Sequence, residues 1–372
     1  MKFERISNRF LKVGRHPFKM GSKDKEDNDT RVCFCCQTNS ALYSQLWPII
    51  FLFSALTDFP MPLPEGKRPG QHRDWGWLPV LIVSCFVAYI YYGYLDRIIL
   101  VLLRQPSISK TWPIVSIVLF NLFFILFIIS YARMVMTEPG YATQMWKQDR
   151  PLNILDMALD EIQQNQLKPD SVLNETKWCS ICQLWKPDRA HHCKVCNACV
   201  LRMDQVNGCI GVRNHRYYLQ FLMYVTLFAT LTFVTSLAMF VQYHGLSLFD
   251  RLALSIIILS GIIVIVVGPF TGSHIWLILI NRTTIENSQF QHWNKIRQKN
   301  QSAEMKPAGF TEAGNNVFYQ NCNRNWIEVM SDNKWLWFLP FSSKSEVMRL
   351  DGVHYGYNQN TLKAYLNQVS FK

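Results

Sequence analysis

Lys177–Tyr218 reads KWCSICQLWKPDRAHHCKVCNACVLRMDQVNGCIGVRNHRYY, and six of the chain's eleven cysteines fall within it. They stand as Cys179-x2-Cys182 and Cys193-x2-Cys196-x2-Cys199, followed by Cys209, with His191 and His192 directly before Cys193. This is metal-ligand spacing. A Cys-x2-Cys pair puts two thiolates on one tight turn, so both reach a single tetrahedral Zn2+ at about 2.3 Å, and a distant pair with histidine closes the shell. Disulfides would not persist in a cytosolic segment, and buried free thiols have no reason to repeat at this spacing.

On either side lie apolar runs long enough to cross a bilayer, at about Trp77–Leu95, Trp112–Ala132, Tyr217–Val241 and Leu252–Ile280. Each meets the requirement of about 20 mostly apolar residues. Trp75, Trp77, Trp112, Tyr217 and Tyr218 sit at span ends, where an aromatic belt places them. The expected fold is therefore an all-α integral membrane protein, four transmembrane helices with a cytosolic cysteine-rich zinc-binding domain between helices 2 and 3. Lysine and arginine concentrate before the first run and across the cysteine-rich loop, whereas the loop between runs three and four offers only Arg251. Positive-inside bias then places both termini and the zinc domain in the cytosol, with Arg97, Arg104 and Lys110 of the first short loop as a counter-signal. The net charge of +12 fits contact with anionic lipid headgroups, and no nucleic-acid motif accompanies it.

The cysteine-rich stretch resembles the corresponding domain of the DHHC-type protein S-acyltransferases, the integral membrane palmitoyltransferases. The matching pieces are Cys179-x2-Cys182, Lys186-Pro187-Asp188-Arg189, His191-His192-Cys193, Cys196-x2-Cys199, Met203-Asp204 and Val206-Asn207-Gly208-Cys209-Ile210-Gly211, then Asn214, Tyr217 and Tyr218. Outside it, Thr137-Glu138-Pro139-Gly140 is similar to the family's Asp-Pro-Gly step, with Glu138 where the family usually has Asp. Thr283-Thr284-Ile285-Glu286 reproduces the TTxE motif, and Asn316 to Met330 resembles the C-terminal aromatic/Asn motif, with Asn325 as its asparagine. The resemblance covers about residues 75–340 and implies acyl transfer from palmitoyl-CoA to protein cysteines, with Zn2+ and membrane lipid as companions.

The chain departs from the family at the catalytic centre. Where the family reads Met-Asp-His-His-Cys-Pro-Trp-Val-Asn, this sequence reads Met203-Asp204-Gln205-Val206-Asn207. The missing cysteine is the one that accepts the acyl group, activated by a histidine that the aspartate orients. Only Asp204 remains. Carried over residue by residue, the first zinc site is complete with Cys179, Cys182, His192 and Cys199; the second keeps Cys193, Cys196 and Cys209 and has lost its histidine. It is expected to be a weakened structural site, closed by water, Asp204 or His191. Cys199 and Cys209 are poor substitutes for the nucleophile, because a zinc thiolate attacks weakly and its acylation would dismantle the site, and Cys85 and Cys322 lie in other segments.

Supporting residues follow from the same resemblance. Thr283 and Thr284 are expected to bond the Asp204 loop, the alternative being a helix-end cap, and Glu286 and Asn325 count with them as supporting residues. Lys186, Arg213, Arg216 and Arg282 stand where they could pair with CoA phosphates, although positive-inside bias accounts for the same residues. Ile90 and Phe228 are candidates for the closed end of an acyl-chain cavity or for ordinary packing, and Gly268-Pro269 is expected to kink the fourth helix.

The chain divides at 1–74, a cytosolic N-terminal region; 75–140, helices 1 and 2; 141–176, a linker with a short amphipathic helix around Leu152, Leu155, Leu159 and Ile162; 177–216, the zinc domain; 217–280, helices 3 and 4; and 281–372, the C-terminal region. In the first segment Leu46–Leu56 is apolar but short, an interfacial segment in preference to a fifth span, and Cys33, Cys35 and Cys36 are either S-acylation sites near the membrane or free thiols. No cleavable signal peptide is evident. Two functional readings remain: a palmitoyltransferase by lineage that is inactive as written, and a non-catalytic membrane scaffold that binds acyl-CoA or partner proteins. An in-frame loss at Met203–Val206 would give this sequence as readily as natural divergence, and the transcript across it distinguishes them. Golgi, endoplasmic reticulum and plasma membrane all suit such a protein, and its protein substrates are not encoded in any motif.

Overall fold

The computed structural model describes residues 77–104, 111–142, 178–194, 196–205, 209–242, 251–299, 307–342 and 352–370. The N-terminal cysteines, the Leu46–Leu56 segment and the linker helix expected around Leu152–Ile162 lie outside them.

Four long helices carry the apolar runs: α1 (Trp77–Arg104), α2 (Thr111–Met136), α3 (His215–Gln242) and α4 (Arg251–Leu279). Three of them, α2, α3 and α4, are long and apolar enough throughout their described residues to cross a membrane. α1 spans 28 residues and runs past Leu95, where the apolar run ends, through Asp96 and Arg97. Hydropathy marks where charge begins, whereas the helix ends where its hydrogen-bond ladder does, so the two boundaries differ. α3 packs against both α2 and α4, and α1 lies on α4. The interior is aromatic: Phe120 stacks on Tyr94 at 4.2 Å and meets Phe228 at 4.8 Å between ring centroids. Ile90 and Phe228 belong to this buried layer together with Ile98 and Met239. Outward-facing residues are branched and apolar, among them Val118, Ile125, Val234 and Ile265, each more than half exposed, as suits a lipid-facing surface. Polar groups within the bundle pair across helices, Tyr94 with Thr235, Tyr91 with Asn121 and Thr226 with Thr271, each at 2.9 Å. α4 continues through Pro269.

The cysteine-rich stretch is not helical. It forms three two-stranded antiparallel ribbons, β1 (Trp178–Cys179) with β2 (Leu184–Trp185), β3 (His191–Cys193) with β4 (Ala198–Val200), and β5 (Asp204–Gln205) with β6 (Cys209–Ile210). The described residues are thus mostly helical, and their named strands fall in the segment where Cys-x2-Cys turns replace hydrophobic periodicity. The chain leaving α2 docks directly on it: Tyr141 bridges Val200, and the Pro139 and Gly140 carbonyls accept from Arg213 and Leu201. Gly140 has φ +94, and at Gly211 a side chain would meet the Pro139 oxygen at 2.3 Å, so both positions require glycine.

C-terminal to α4 come α5 (Thr284–Gln298), α6 (Cys322–Met330), a single 3-10 turn (Lys334–Trp337) and α7 (Gln359–Ser370). α6 packs on α4 and α3 through Leu219, Ile278, Val329 and Met330. Val317, Phe318, Tyr355, Leu362, Tyr365 and Leu366 make a separate small core.

Candidate functional site

The register of β3 on β4 sets His192 opposite Cys199, and alternation along a strand sends neighbouring side chains to opposite faces. One face therefore gathers Cys199 and His192 with the β1–β2 turn, which supplies Cys179 and Cys182. The amide of Cys182 donates to Cys179 Sγ at 3.4 Å, and Gln183 at φ 53 closes the turn. The four ligand atoms lie within 4.8 Å of one another, with His192 Nδ1 at 3.6 Å from Cys179 Sγ and 3.3 Å from Cys182 Sγ. A tetrahedron built on Zn–S bonds of about 2.3 Å and Zn–N bonds of about 2.0 Å has edges of about 3.5–3.8 Å, so the set fits zinc. Electrostatics agree: hydrogen bonds from Cys182 and then Cys199 hold the Cys179 thiol far below its usual value, and Cys179 followed by Cys182 pushes His192 up to about 9. The same contacts drive Cys199 upward. Buried groups that together draw positive charge are what a cation would satisfy.

Cys193 and Cys196 lie on the other side of the ribbon, buried with Tyr141, Ala198, Val200, Met203 and Ile285. The Cys196 amide donates to Cys193 Sγ at 3.4 Å, a second turn of the same build. Cys209 stands on β6 opposite Gln205. Among the described residues, the first set alone brings four ligand atoms together.

Asp204 begins β5 and is 1% exposed. Its Oδ1 accepts from the Thr284 amide at 3.2 Å and from the Thr284 hydroxyl. Its Oδ2 faces His215 Nε2 at 3.8 Å and accepts no hydrogen bond. The two TTxE threonines divide their labour. Thr284 holds Asp204, whereas Thr283 caps α5: its hydroxyl accepts from the Glu286 amide at 3.2 Å while Glu286 Oε2 accepts from the Thr283 amide at 2.9 Å, a capping box.

Glu286 also closes a buried network that sequence reading missed. Arg189, at φ 63, forks onto it, with Nε to Oε1 at 2.7 Å and Nη2 to Oε2 at 2.9 Å. Burial raises the Glu286 carboxyl, but the Arg189 charge and hydrogen bonds outweigh it and hold the carboxyl below its ordinary value. Arg189 and Arg202 both donate to Asn281 Oδ1, at 2.8 and 3.0 Å, and Asn281 donates onward to Phe318 O and Glu328 Oε2. Asn281 ends α4 at φ 49, a left-handed position that asparagine tolerates. Asn325, fully buried, donates to Leu279 O at 2.7 Å and so satisfies a carbonyl at the same helix end. Sequence offered one signal for this network: Arg189, Glu286, Asn325 and Glu328 stand inside the matched motifs, whereas Arg202 and Asn281 do not.

The four basic residues singled out for CoA phosphates each have protein surroundings of their own. Lys186 is buried. Arg216 donates to the Phe341 carbonyl at 2.7 Å and to the Ser342 hydroxyl. Arg282 stacks on Phe290 and Phe310 at 4.0 and 4.9 Å, and burial lowers its pKa. Arg213 is partly exposed, with Glu138 at 3.9 Å.

Residues 172–291 match the family model described as DHHC palmitoyltransferase. Palmitoyltransferase ZDHHC20 of Homo sapiens is 30% identical over 294 residues, covering 73% of this chain and 75% of that protein. Palmitoyltransferase ZDHHC15 of Xenopus laevis is 29% identical over 306 residues, 75% of this chain and 82% of its own. Palmitoyltransferase PFA3 of Debaryomyces hansenii is 35% identical over 199 residues, about half of each chain.

Proposed function

From the premise that this chain belongs to the DHHC palmitoyltransferase family, we propose a protein S-palmitoyltransferase that in the form written here keeps the acyl-CoA scaffold and lacks the transfer step. The observation that carries the reading is Asp204, buried and held by Thr284, followed by Gln205-Val206-Asn207, which contains neither histidine nor thiol. Acyl transfer through the enzyme needs a thiolate to attack the thioester carbonyl of palmitoyl-CoA, releasing CoA and forming a protein thioester that a substrate cysteine then takes. The base that would accept the thiol proton is absent along with the thiol. Asp204 can orient such a base but cannot replace both. Cys179, Cys182, His192 and Cys199 would hold a zinc that joins the β1–β2 turn to the β3–β4 ribbon, a structural role, while Cys193, Cys196 and Cys209 remain as a second, incomplete set. Four spans with cytosolic termini, in a Golgi, endoplasmic reticulum or plasma membrane, complete the proposal.

Incubated with palmitoyl-CoA, the purified chain is expected to form no hydroxylamine-sensitive acyl-enzyme within residues 177–218. Placing His-His-Cys-Pro-Trp in place of Gln205 is expected to restore autoacylation. Acyl label mapped to Cys199 or Cys209 of the unaltered chain, with transfer to a protein substrate, would overturn the inactive reading. A second reading, a non-catalytic scaffold, is favoured by the Arg189–Glu286–Asn281 network, whose bonds need no nucleophile. It predicts that the unaltered chain still binds palmitoyl-CoA.

A further inference from the structure

Two arginines meet one phenol where α2 ends and α3 begins. Arg133 lies three residues before the end of α2 at Met136, and Arg216 is the second residue of α3. Arg133 Nη2 donates to the Tyr217 hydroxyl at 3.0 Å, and Arg216 Nη2 donates to the same oxygen at 3.5 Å. Both guanidiniums also lie over the Tyr217 ring, each 5.1 Å from its centroid. Arg216 is 6% exposed and is oriented by the Phe341 carbonyl and the Ser342 hydroxyl. Arg133 is partly exposed, and its Nε is buried without a hydrogen bond. Among the described residues its guanidinium bonds Tyr217 and no carboxylate.

Two cations at one phenol repel, and a partly desolvated cation needs an anion. The position of Arg133 along and around α2 says which anion reaches it. Arg133 follows by eleven residues Leu122, an outward-facing side chain 46% exposed. At about 100° per residue that is three turns and about 20°, the same face of the helix. A helix of 26 residues is about 39 Å long against a hydrocarbon layer of about 30 Å, so about three residues emerge at each end of a centred span. Arg133 therefore stands at the hydrocarbon boundary on the lipid side, level with the phosphates of the headgroup region. A planar guanidinium forks onto phosphate oxygens. A second positive charge beside it favours a phosphate monoester, which carries nearly two negative charges at neutral pH, over the singly charged diester of a choline lipid.

We propose that Arg133 binds the phosphate monoester of an anionic phospholipid, of the phosphatidic acid type, at the seam of α2 and α3, with Arg216 supplying the second charge and Tyr217 fixing both guanidiniums. The seam adjoins the candidate site. Asn214 Nδ2 donates to the carbonyl of Met134, next to Arg133, at 3.4 Å, and His215, next to Arg216, faces Asp204. Bound lipid thus clamps the end of α2 to the start of α3 on the flank of Asp204. The inference rests on α2 and α3, both candidate spans, crossing the membrane.

The test titrates the full chain, purified in a neutral detergent, with fluorescent phosphatidic acid, and then adds unlabelled phosphatidic acid, phosphatidylcholine, inorganic phosphate or coenzyme A as competitors. The labelled lipid is expected to bind and to be displaced by unlabelled phosphatidic acid alone. Arg133→Gln is expected to weaken binding about tenfold, the loss of one charge-assisted contact, Arg133→Lys by less, and Arg251→Gln, exposed at the start of α4, not at all. Equal competition by phosphatidylcholine, or an equal loss in Arg251→Gln, would overturn the site as general attraction to a basic protein. Displacement by inorganic phosphate or coenzyme A at matching concentrations would assign the arginines to a soluble phosphate and overturn the lipid. These competitions use the unaltered chain and decide the matter even where a variant fails to fold. Release of the chain from native membranes by alkaline carbonate would overturn α2 and α3 as spans, and the lipid site with them.

Discussion

Arg189 shows how much one side chain carries when it is buried and forked. Its Nε and Nη2 meet both oxygens of Glu286, its Nη1 reaches Asn281, and its plane lies over Phe318 at 4.6 Å. Burial opposes its charge, but Glu286 outweighs that and raises its pKa. Replacing it with alanine strands a buried carboxylate, and Arg189→Ala is expected to destabilise the protein by about 3–5 kcal/mol, read as lost thermal stability in detergent. Arg189→Lys is expected to recover only part of this, because an ammonium keeps the charge and not the fork. The acid limb follows from Glu286, whose folded pKa lies below its ordinary 4.5. Its stabilising contribution is fully present above that ordinary value and is lost as pH falls through the depressed one. Glu286→Gln should flatten this part of an acid-unfolding curve, and an unchanged curve would show that the pair contributes nothing.

At the scale of elements, the ribbons are held by turns, and Cys179, Cys182, His192 and Cys199 could tie them together through a metal ion. Each has two or three residues per strand, too short to stand alone in water. Binding energy from zinc is then folding energy for this region. One tightly held zinc per chain is expected, with a second weak or lost, because Cys179, Cys182, His192 and Cys199 converge and the other set lacks its histidine. Metal analysis of the purified chain should give a stoichiometry below two, and His192→Ala should remove most of what remains. Two chelator-resistant zincs would mean that Asp204, His191 or another group completes the Cys193 set.

At the largest scale, the described residues form an apolar helical bundle whose cysteine-ribbon end also receives α5 and α6. The ends of α2 and α4 and the start of α3 all meet at that face, through Tyr141, Asn281 and His215. Positive-inside bias is the basis for proposing that this face is cytosolic, and the chain carries its own reporters. Asn28, Asn174, Asn281 and Asn300 each begin an Asn-x-Ser/Thr acceptor, and none should carry glycan in a eukaryotic host. Asn281 is fully buried and is closed to modification in the folded chain whatever its side. Asn174 is the informative position: a glycan there, seen as an endoglycosidase-sensitive mass shift, would reverse the topology.

Sequence alone determined what is covalent and local. Apolar run length marked the helices that α2, α3 and α4 became, Cys-x2-Cys turns marked the cluster that could hold a metal, and the absence of a thiol from Gln205-Val206-Asn207 is a fact of the chain that no fold alters. Contacts between distant residues were decided by tertiary structure, because nothing in a local window records which groups meet across 80 to 126 positions. Thr284 rather than Thr283 takes Asp204, across 80 residues. Arg189 finds Glu286 across 97. Arg216 reads as a phosphate-binding cation in sequence, yet it bonds Phe341 and Ser342, 125 and 126 residues away. In each case a buried polar group had to be satisfied, and the partner was whichever donor or acceptor the packed helices brought within reach.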